Sequence, residues 1–515
     1  MSKANPDEAA EGGPVNEVDE ADVAAAVALL EQLVSDRGQL VGLDATLTRR
    51  LLVAAGQVSR PDKGAKKKLD RARRAHRRDS KRDEHRAMLD ATGIRKLREN
   101  PIFETPRKRN LVAPESRELP PPQSPGETEF TRTCYTCREQ YRELHWFYDQ
   151  LCQPCGDLNH AKRTPVADLR GRYAVVTGSR VKIGYQAAIM LLRAGCHVIC
   201  TTRFPRDAAR RYAAEADFAD WGDRLQIQGI DLRHVPSVEA FCDRLLSTLP
   251  RLDFIINNAC QTVRRPPGFY AHLMECERAI EQDLTDLERR LLGYAETPGP
   301  ERSSAGAALS LAEASLSAPE MSQVAMVPDD FVDAAALFPA GLLDADEQQV
   351  DLRKVNSWRL KLAEVPTIEL LEVHLVNAVA PFLLNARLKP LMCRVPTEDK
   401  HIVNVSAMEG QFYRAYKGDR HPHTNMAKAS LNMMTRTAAL DYIDDGIHMN
   451  SVDTGWVTDE DPAHHADIKR DMHGFHPPLD IVDGAARIVD PIFDGLTTGE
   501  HVWGQFLKDY RITDW

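Results

Sequence analysis

Four cysteines carry the plainest chemistry in this chain. Cys134-x2-Cys137 and Cys152-x2-Cys155 stand fourteen residues apart. Four thiolates in two knuckle-like pairs give Zn²⁺ a closed tetrahedral shell with no open position, so a structural Zn²⁺ is expected. Tyr141, His145, Trp146, Phe147 and Tyr148, between the pairs, supply the small core such a module needs. His145 and His160 are alternative ligands. A second group of residues could cradle a phosphate. The apolar run Tyr173-Ala-Val-Val-Thr177 meets Gly178, the amphipathic segment Ile183 to Arg193 follows, and a second apolar run covers His197 to Thr202. Strand, turn, helix, strand is the unit that lays a dinucleotide pyrophosphate on a helix N-terminus.

The elements that must position these groups follow from pattern and composition. At 515 residues the chain is long enough for two or three domains. Residues 1–22 are acidic and expected to be disordered, and 23–113 form a helical, basic N-terminal region. A Pro-rich linker spans 114–129, and the four-cysteine zinc module spans 130–165. From 169 to 515 strand and helix signals alternate, with strands expected at 173–177, 197–202, 225–230, 253–257, 401–406, 447–452 and 501–506. The fold class is therefore α/β: a doubly wound parallel Rossmann-type sheet, with a small zinc module and a helical extension before it. Residues 277–350 are read as a surface insertion with a mobile centre.

No uninterrupted apolar run reaches the ~18 residues of a membrane span, and the start of the chain does not read as a signal peptide. The six cysteines outside the two pairs are scattered singly. A cytoplasmic protein with no membrane partner is expected. The net charge of −10 argues against general nucleic-acid binding, yet residues 60–82 hold twelve Lys/Arg against three Asp. The tract 60–86 is either a solvated helix or a contact for a protein or nucleic-acid partner.

Thr177-Gly178-Ser-Arg180-Val-Lys182-Ile183-Gly184 resembles the TGxxxGxG turn of the short-chain dehydrogenase/reductase superfamily. Asp231 and Leu232 after the third strand, Asn257-Asn258-Ala259 after the fourth, Asn377, Lys428 and Asp453-Thr454-Gly455 match further motifs of that family in order. The resemblance covers about 170–277 and 351–515. It implies that Asp231 contacts adenine, that Asn377 orders a relay water, and that Lys428 holds the nicotinamide ribose. Thr454 and Gly455 would face the carboxamide. Arg203 could meet an adenosine 2′-phosphate, where an acid would bond the free ribose hydroxyl of NAD. Lys182 replaces the middle glycine and either contacts phosphate as a point charge or is solvated. Arg203 and Lys182 together favour NADP(H) over NAD(H).

The family's proton donor is a tyrosine four residues before the lysine, on one helix face. Here Thr424 holds that place. The family's serine aligns with Ala407, leaving Ser406 one step off, on the opposite face of the strand. Tyr413, Tyr416 and His423 are replacement candidates. The implied function is an oxidoreductase acting on a carbonyl or alcohol with a non-standard acid. The alternative is an inactive cofactor-binding scaffold or sensor whose zinc module and basic helix meet a partner. The small-molecule substrate stays open, and a homo-oligomer contact through the C-terminal tail is an added expectation.

Overall fold

A computed structural model describes residues 19–106, 123–278, 284–293, 317–331, 334–413, 417–458, 460–462, 464–465, 468 and 476–515. The chain divides into two compact bodies, Met1–Glu84 and His85–Trp515. In the first, Asp19 and Asp44 accept backbone N–H bonds at the starts of helices Glu20–Ser35 and Ala45–Ser59. These are ordinary aspartate caps. The expected disordered tail therefore ends in helix at Glu20, while residues 1–18 lie outside the described residues. The basic tract falls in the long helix Lys63–Asp90.

The second body holds a small antiparallel pair, β1 (Glu127–Thr133) and β2 (Gln140–Glu143). The expected linker thus gives way to strand at Glu127; its stretch 114–122 lies outside the described residues. The main sheet runs β3 (Tyr173–Thr177), β4 (His197–Thr202), β5 (Leu225–Gly229), β6 (Phe254–Asn257), β7 (Lys400–Ser406), β8 (Ile447–Asp453), β9 (Phe506–Lys508) and β10 (Arg511–Thr513). Its spatial order is β5-β4-β3-β6-β7-β8-β9-β10. All pairings are parallel except the terminal hairpin β9–β10. Order reverses between β3 and β6, which opens a crevice at their carboxyl ends.

Near-continuous burial of the central strands is what a sheet covered on both faces requires. Ala174 and Val176 enter one core with Ile488 and Leu191, while Val175 enters the other with Leu384 and Met449. Helices Lys182–Arg193 and Ile481–Thr498 cover the first face; Val235–Thr248, Ala380–Met392 and Pro422–Ile443 cover the second. The helical stretch Thr367–Met392 is long and apolar enough to cross a membrane, with a mean hydropathy of 1.5. It is so by length and composition only. Charged residues interrupt the stretch in sequence, and its Leu384, Leu388 and Leu391 pack into the second core.

The expected last strand, 501–506, is also corrected: β9 begins at Phe506. Gly504, at φ +65, bends the preceding segment, whose bonds to β8 are irregular. Gly504 N–H donates to Met449 O, and the Asn450 amide donates to Val502 O. The insertion is partly helical, at Asp286–Leu291 and Ala318–Met321. Residues 294–316 of it, where the expected mobile centre falls, lie outside the described residues.

A buried ionic cluster ties the cysteine module to the sheet domain. Arg163 reaches Asp480 and Asp483 at 2.8 Å, and Tyr148 donates to Asp483 at 2.5 Å. Asp480 also caps the helix Ile481–Thr498 through two backbone N–H groups. Replacing Arg163 by Met should leave two carboxylates buried without their cation. We expect a loss of about 3–5 kcal/mol in urea unfolding, and an unchanged midpoint would show the cluster to be dispensable.

Candidate functional site

A cavity of about 890 Å³ opens at the β3/β6 switch point. Its floor is the turn after β3. Gly178 has φ +65, and a Cβ there would meet Ala259 Cα at 2.8 Å. A Cβ on Gly184 would lie 2.2 Å from Asn258 Nδ2 and 2.4 Å from Gly178 O. Asn258 donates to the carbonyls of Thr177 and Gly178, at 3.0 Å each, and Ala259 N–H donates to Thr177 Oγ1. The turn is thus stitched to the end of β6. Helix Lys182–Arg193 starts there from Val181 with no side-chain cap, so its first N–H groups are left for a ligand. Ile183 lines the same floor.

Lys182 adopts φ +59, the left-handed region that a glycine would occupy without strain. Its ammonium leans to Asp346, 4.0 Å away, and the turn stays open to the cavity. Arg180 is buried, with Asp207 at 2.6 Å and Gln348 at 3.3 Å. Arg203 donates to the Tyr270 hydroxyl at 2.6 Å and lies over that ring. Asp231 is gripped by Arg233 at 2.6 Å, and Arg233 in turn reaches Glu372. Burial alone would raise the Asp231 carboxyl, but Arg233 holds it below the usual carboxylate range. Leu232 completes this end of the lining.

At the other end stand Ser406, Ala407, Lys428, Thr454 and Gly455. Lys428 Nζ donates to Val405 O at 2.7 Å. Ser406 Oγ donates to Asn432 on the Lys428 helix at 2.6 Å, so it points to the helix. Asn377 sits in a π-helical turn, Leu375–Val379, and grips Gln261 on both sides: its Oδ1 accepts from the backbone N–H and its amide donates to the carbonyl. Such π turns recur at functional sites. Thr424 is buried, its hydroxyl lacks a partner, and it lies outside the cavity lining.

The replacement candidates do not gather here. His423 is buried 3.5 Å from Glu369, away from the cavity lining. Tyr413 is half exposed, its hydroxyl 3.4 Å from Thr513. Tyr416 lies outside the described residues. The structure adds a tyrosine that sequence reading passed over. Tyr135, inside the first CxxC knuckle, lines the cavity beside Gly455, and its hydroxyl accepts the Trp456 N–H at 2.8 Å. Burial pushes that phenol up from its ordinary value despite nearby Lys508. Its only sequence signal was an aromatic between two metal-type cysteines. The insertion contributes Gln348 and Gln349 to the cavity walls; Trp358, just beyond it, adds a ring that stacks on His421 at 3.9 Å. Trp456 and Val457 close the far side.

Cys134, Cys137, Cys152 and Cys155 bring their sulfurs within 4.8 Å of one another, with Cys137 and Cys152 3.6 Å apart. All ten cysteines are free thiols. Four converging sulfurs at these separations fit a tetrahedral ion.

Two family profiles match this chain: short chain dehydrogenase over residues 172–283, and enoyl-(acyl carrier protein) reductase over 356–477. Uncharacterized protein R665 of Acanthamoeba polyphaga mimivirus is 30% identical over 374 residues, 70% of this chain and 71% of that protein. The chain belongs to the short-chain dehydrogenase/reductase superfamily. Among short-chain relatives, dehydrogenase/reductase SDR family member 13 of Bos taurus is 36% identical over 105 residues. That match spans 20% of this chain and 28% of the bovine protein. The NADPH-bound carbonyl reductase from chicken fatty liver aligns over 67% of this chain and 100% of its own, at 17% identity and a TM-score of 0.40. The two short-chain profiles leave residues 284–355 unmatched, and that stretch includes the Gln348 and Gln349 of the cavity wall.

Gly184→Ala tests the turn. Its methyl must displace Asn258 or Gly178, at a cost of roughly 1–3 kcal/mol. NADPH uptake should fall with it, while Lys182→Gly should gain about 1 kcal/mol by relieving the left-handed backbone. Calorimetric titration beside thermal melts checks both; full NADPH binding by the Gly184→Ala protein would contradict the turn's role.

Proposed function

We propose that this protein is an NAD(P)-dependent oxidoreductase acting on a carbonyl or alcohol, with NADP(H) favoured over NAD(H). The observation that carries the reading is the glycine turn and uncapped helix start opening on an 890 Å³ cavity, with Lys428 at its other end. A bound nicotinamide would supply the hydride. The chain's own residues divide the remaining work. N–H groups at the start of helix Lys182–Arg193 would take the diphosphate. Arg203 and Lys182, both in the wall, offer positive charge for a 2′-phosphate. Lys428 would exchange its bond to Val405 O for ribose hydroxyls. Tyr135 brings a phenol to the Gly455 end, with its O–H free to donate once Trp456 N–H occupies a lone pair. Structural Zn²⁺ in the four-cysteine cluster would hold the knuckle from which Tyr135 projects.

A second reading, a cofactor-binding scaffold, draws support from the occupied catalytic groups: Ser406 is spent on Asn432, and Thr424 is outside the cavity. The basic helix would then meet a partner. Turnover separates the readings.

Arg203→Ala should weaken NADPH binding by about ten- to hundredfold and leave NADH binding unchanged, read by calorimetry; equal effects on both cofactors would remove the NADP(H) preference. Tyr135→Phe should lower kcat about a hundredfold or more against a carbonyl panel, with the NADPH Kd unchanged. Wild-type-like turnover in the Tyr135→Phe protein would clear Tyr135 of proton transfer, and no turnover in the wild type would favour the scaffold.

A further inference from the structure

Three histidines converge at the end of the sheet opposite the nucleotide cavity. His401 and His448 are register partners on β7 and β8, each one residue in from its strand's amino end. Partners in a parallel ladder send their side chains to the same face. His501 joins them from the segment after helix Ile481–Thr498, where Gly499 at φ +77 turns the chain back towards the sheet. The helix makes room for the rings: a Cβ on Gly495 would lie 2.5 Å from His501 Nδ1 and 3.2 Å from His401 Cε1.

The geometry is that of a ligand set. His401 Nε2 and His501 Nδ1 are 3.0 Å apart, and the three rings offer one nitrogen each within 4.8 Å of one another. Around zinc, with Zn–N of about 2.0–2.1 Å, tetrahedral ligand nitrogens sit about 3.3 Å apart. The first pair is a few tenths of an ångström from that spacing. His448 Nδ1 lies 3.2 Å from Lys400 O. A bond there puts the proton on Nδ1 and leaves Nε2 as the lone-pair nitrogen, as outer-sphere carbonyls do for metal-bound imidazoles. The nearby acid Asp399 is paired with Arg172. His401 is fully buried and His501 only partly, which gives an ion a route from solvent.

We propose that His401, His448 and His501 form a Zn²⁺ site distinct from the four-cysteine cluster, with the fourth position left to water. Three neutral imidazoles and an open position are a donor set suited to zinc.

The test strips full-length protein with chelator, reloads it with Zn²⁺, desalts it and counts zinc by mass spectrometry. Wild type is compared with His448→Gln, His501→Gln, and a Cys137→Ser/Cys152→Ser double variant; circular dichroism verifies folding. Each histidine variant should carry one equivalent less than wild type. The cysteine variant should keep the equivalent that the histidine variants lose, and should bind Co²⁺ without a thiolate charge-transfer band. Equal zinc in wild type and a folded His501→Gln protein overturns the proposal. His501→Gln alone decides if His448→Gln fails to fold, because His501 is only partly buried. Unchanged zinc in the cysteine variant would instead count against the cysteine-held ion.

Discussion

The contact between Gly184 and Asn258 is the constraint on which the site depends. Helix Lys182–Arg193 can start where it does only because residue 184 has no Cβ, and Asn258 uses that space to bond the carbonyls of Thr177 and Gly178. One side chain thus joins β3 to β6 at the place where strand order reverses. The crevice, the direction of the helix and the orientation of its free N–H groups all follow from that junction. The Lys182 backbone keeps the left-handed bend even without glycine, which shows how firmly its surroundings dictate the turn.

Around this junction the cavity is assembled from parts that are distant in the chain. The cysteine module supplies Tyr135, the insertion supplies Gln348 and Gln349, and the segment after β8 supplies Trp456. The module is held by buried ions as well as apolar contact. Tyr148 and Arg163 of the module meet Asp483. A module read from its cysteines as a separate structural unit is therefore part of the cavity wall.

How much was legible in the sequence follows the range of the forces involved. β3 and β4 were read to the residue, because continuous β-branched runs bounded by a Gly turn report a doubly covered strand locally. The glycine turn and Asn258 were read from their resemblance to family motifs; that Asn258 bonds the turn's carbonyls is visible only in the structure. The terminal hairpin was not. Its start depends on Gly504 bending and on side-chain bonds from Asn450, and neither leaves a periodic trace. Tyr135 was hidden for a different reason, since a lone aromatic in a cysteine knuckle reads as core filler until the module's docking is known. Ser406, one residue short of the position read for the family's serine, bonds Asn432 on the Lys428 helix, a tertiary contact with no trace in local sequence. His423 shows the limit of proximity in sequence, because a residue next to Thr424 on a helix faces about 100° away from it, here towards Glu369.

A co-crystal of the full chain with NADPH measures the central claim most directly. The account expects the diphosphate against the backbone N–H groups at the start of helix Lys182–Arg193, with the adenine end beside Arg203 and the nicotinamide end beside Lys428. A nucleotide bound elsewhere, or a cavity that stays empty at saturating NADPH, would contradict it.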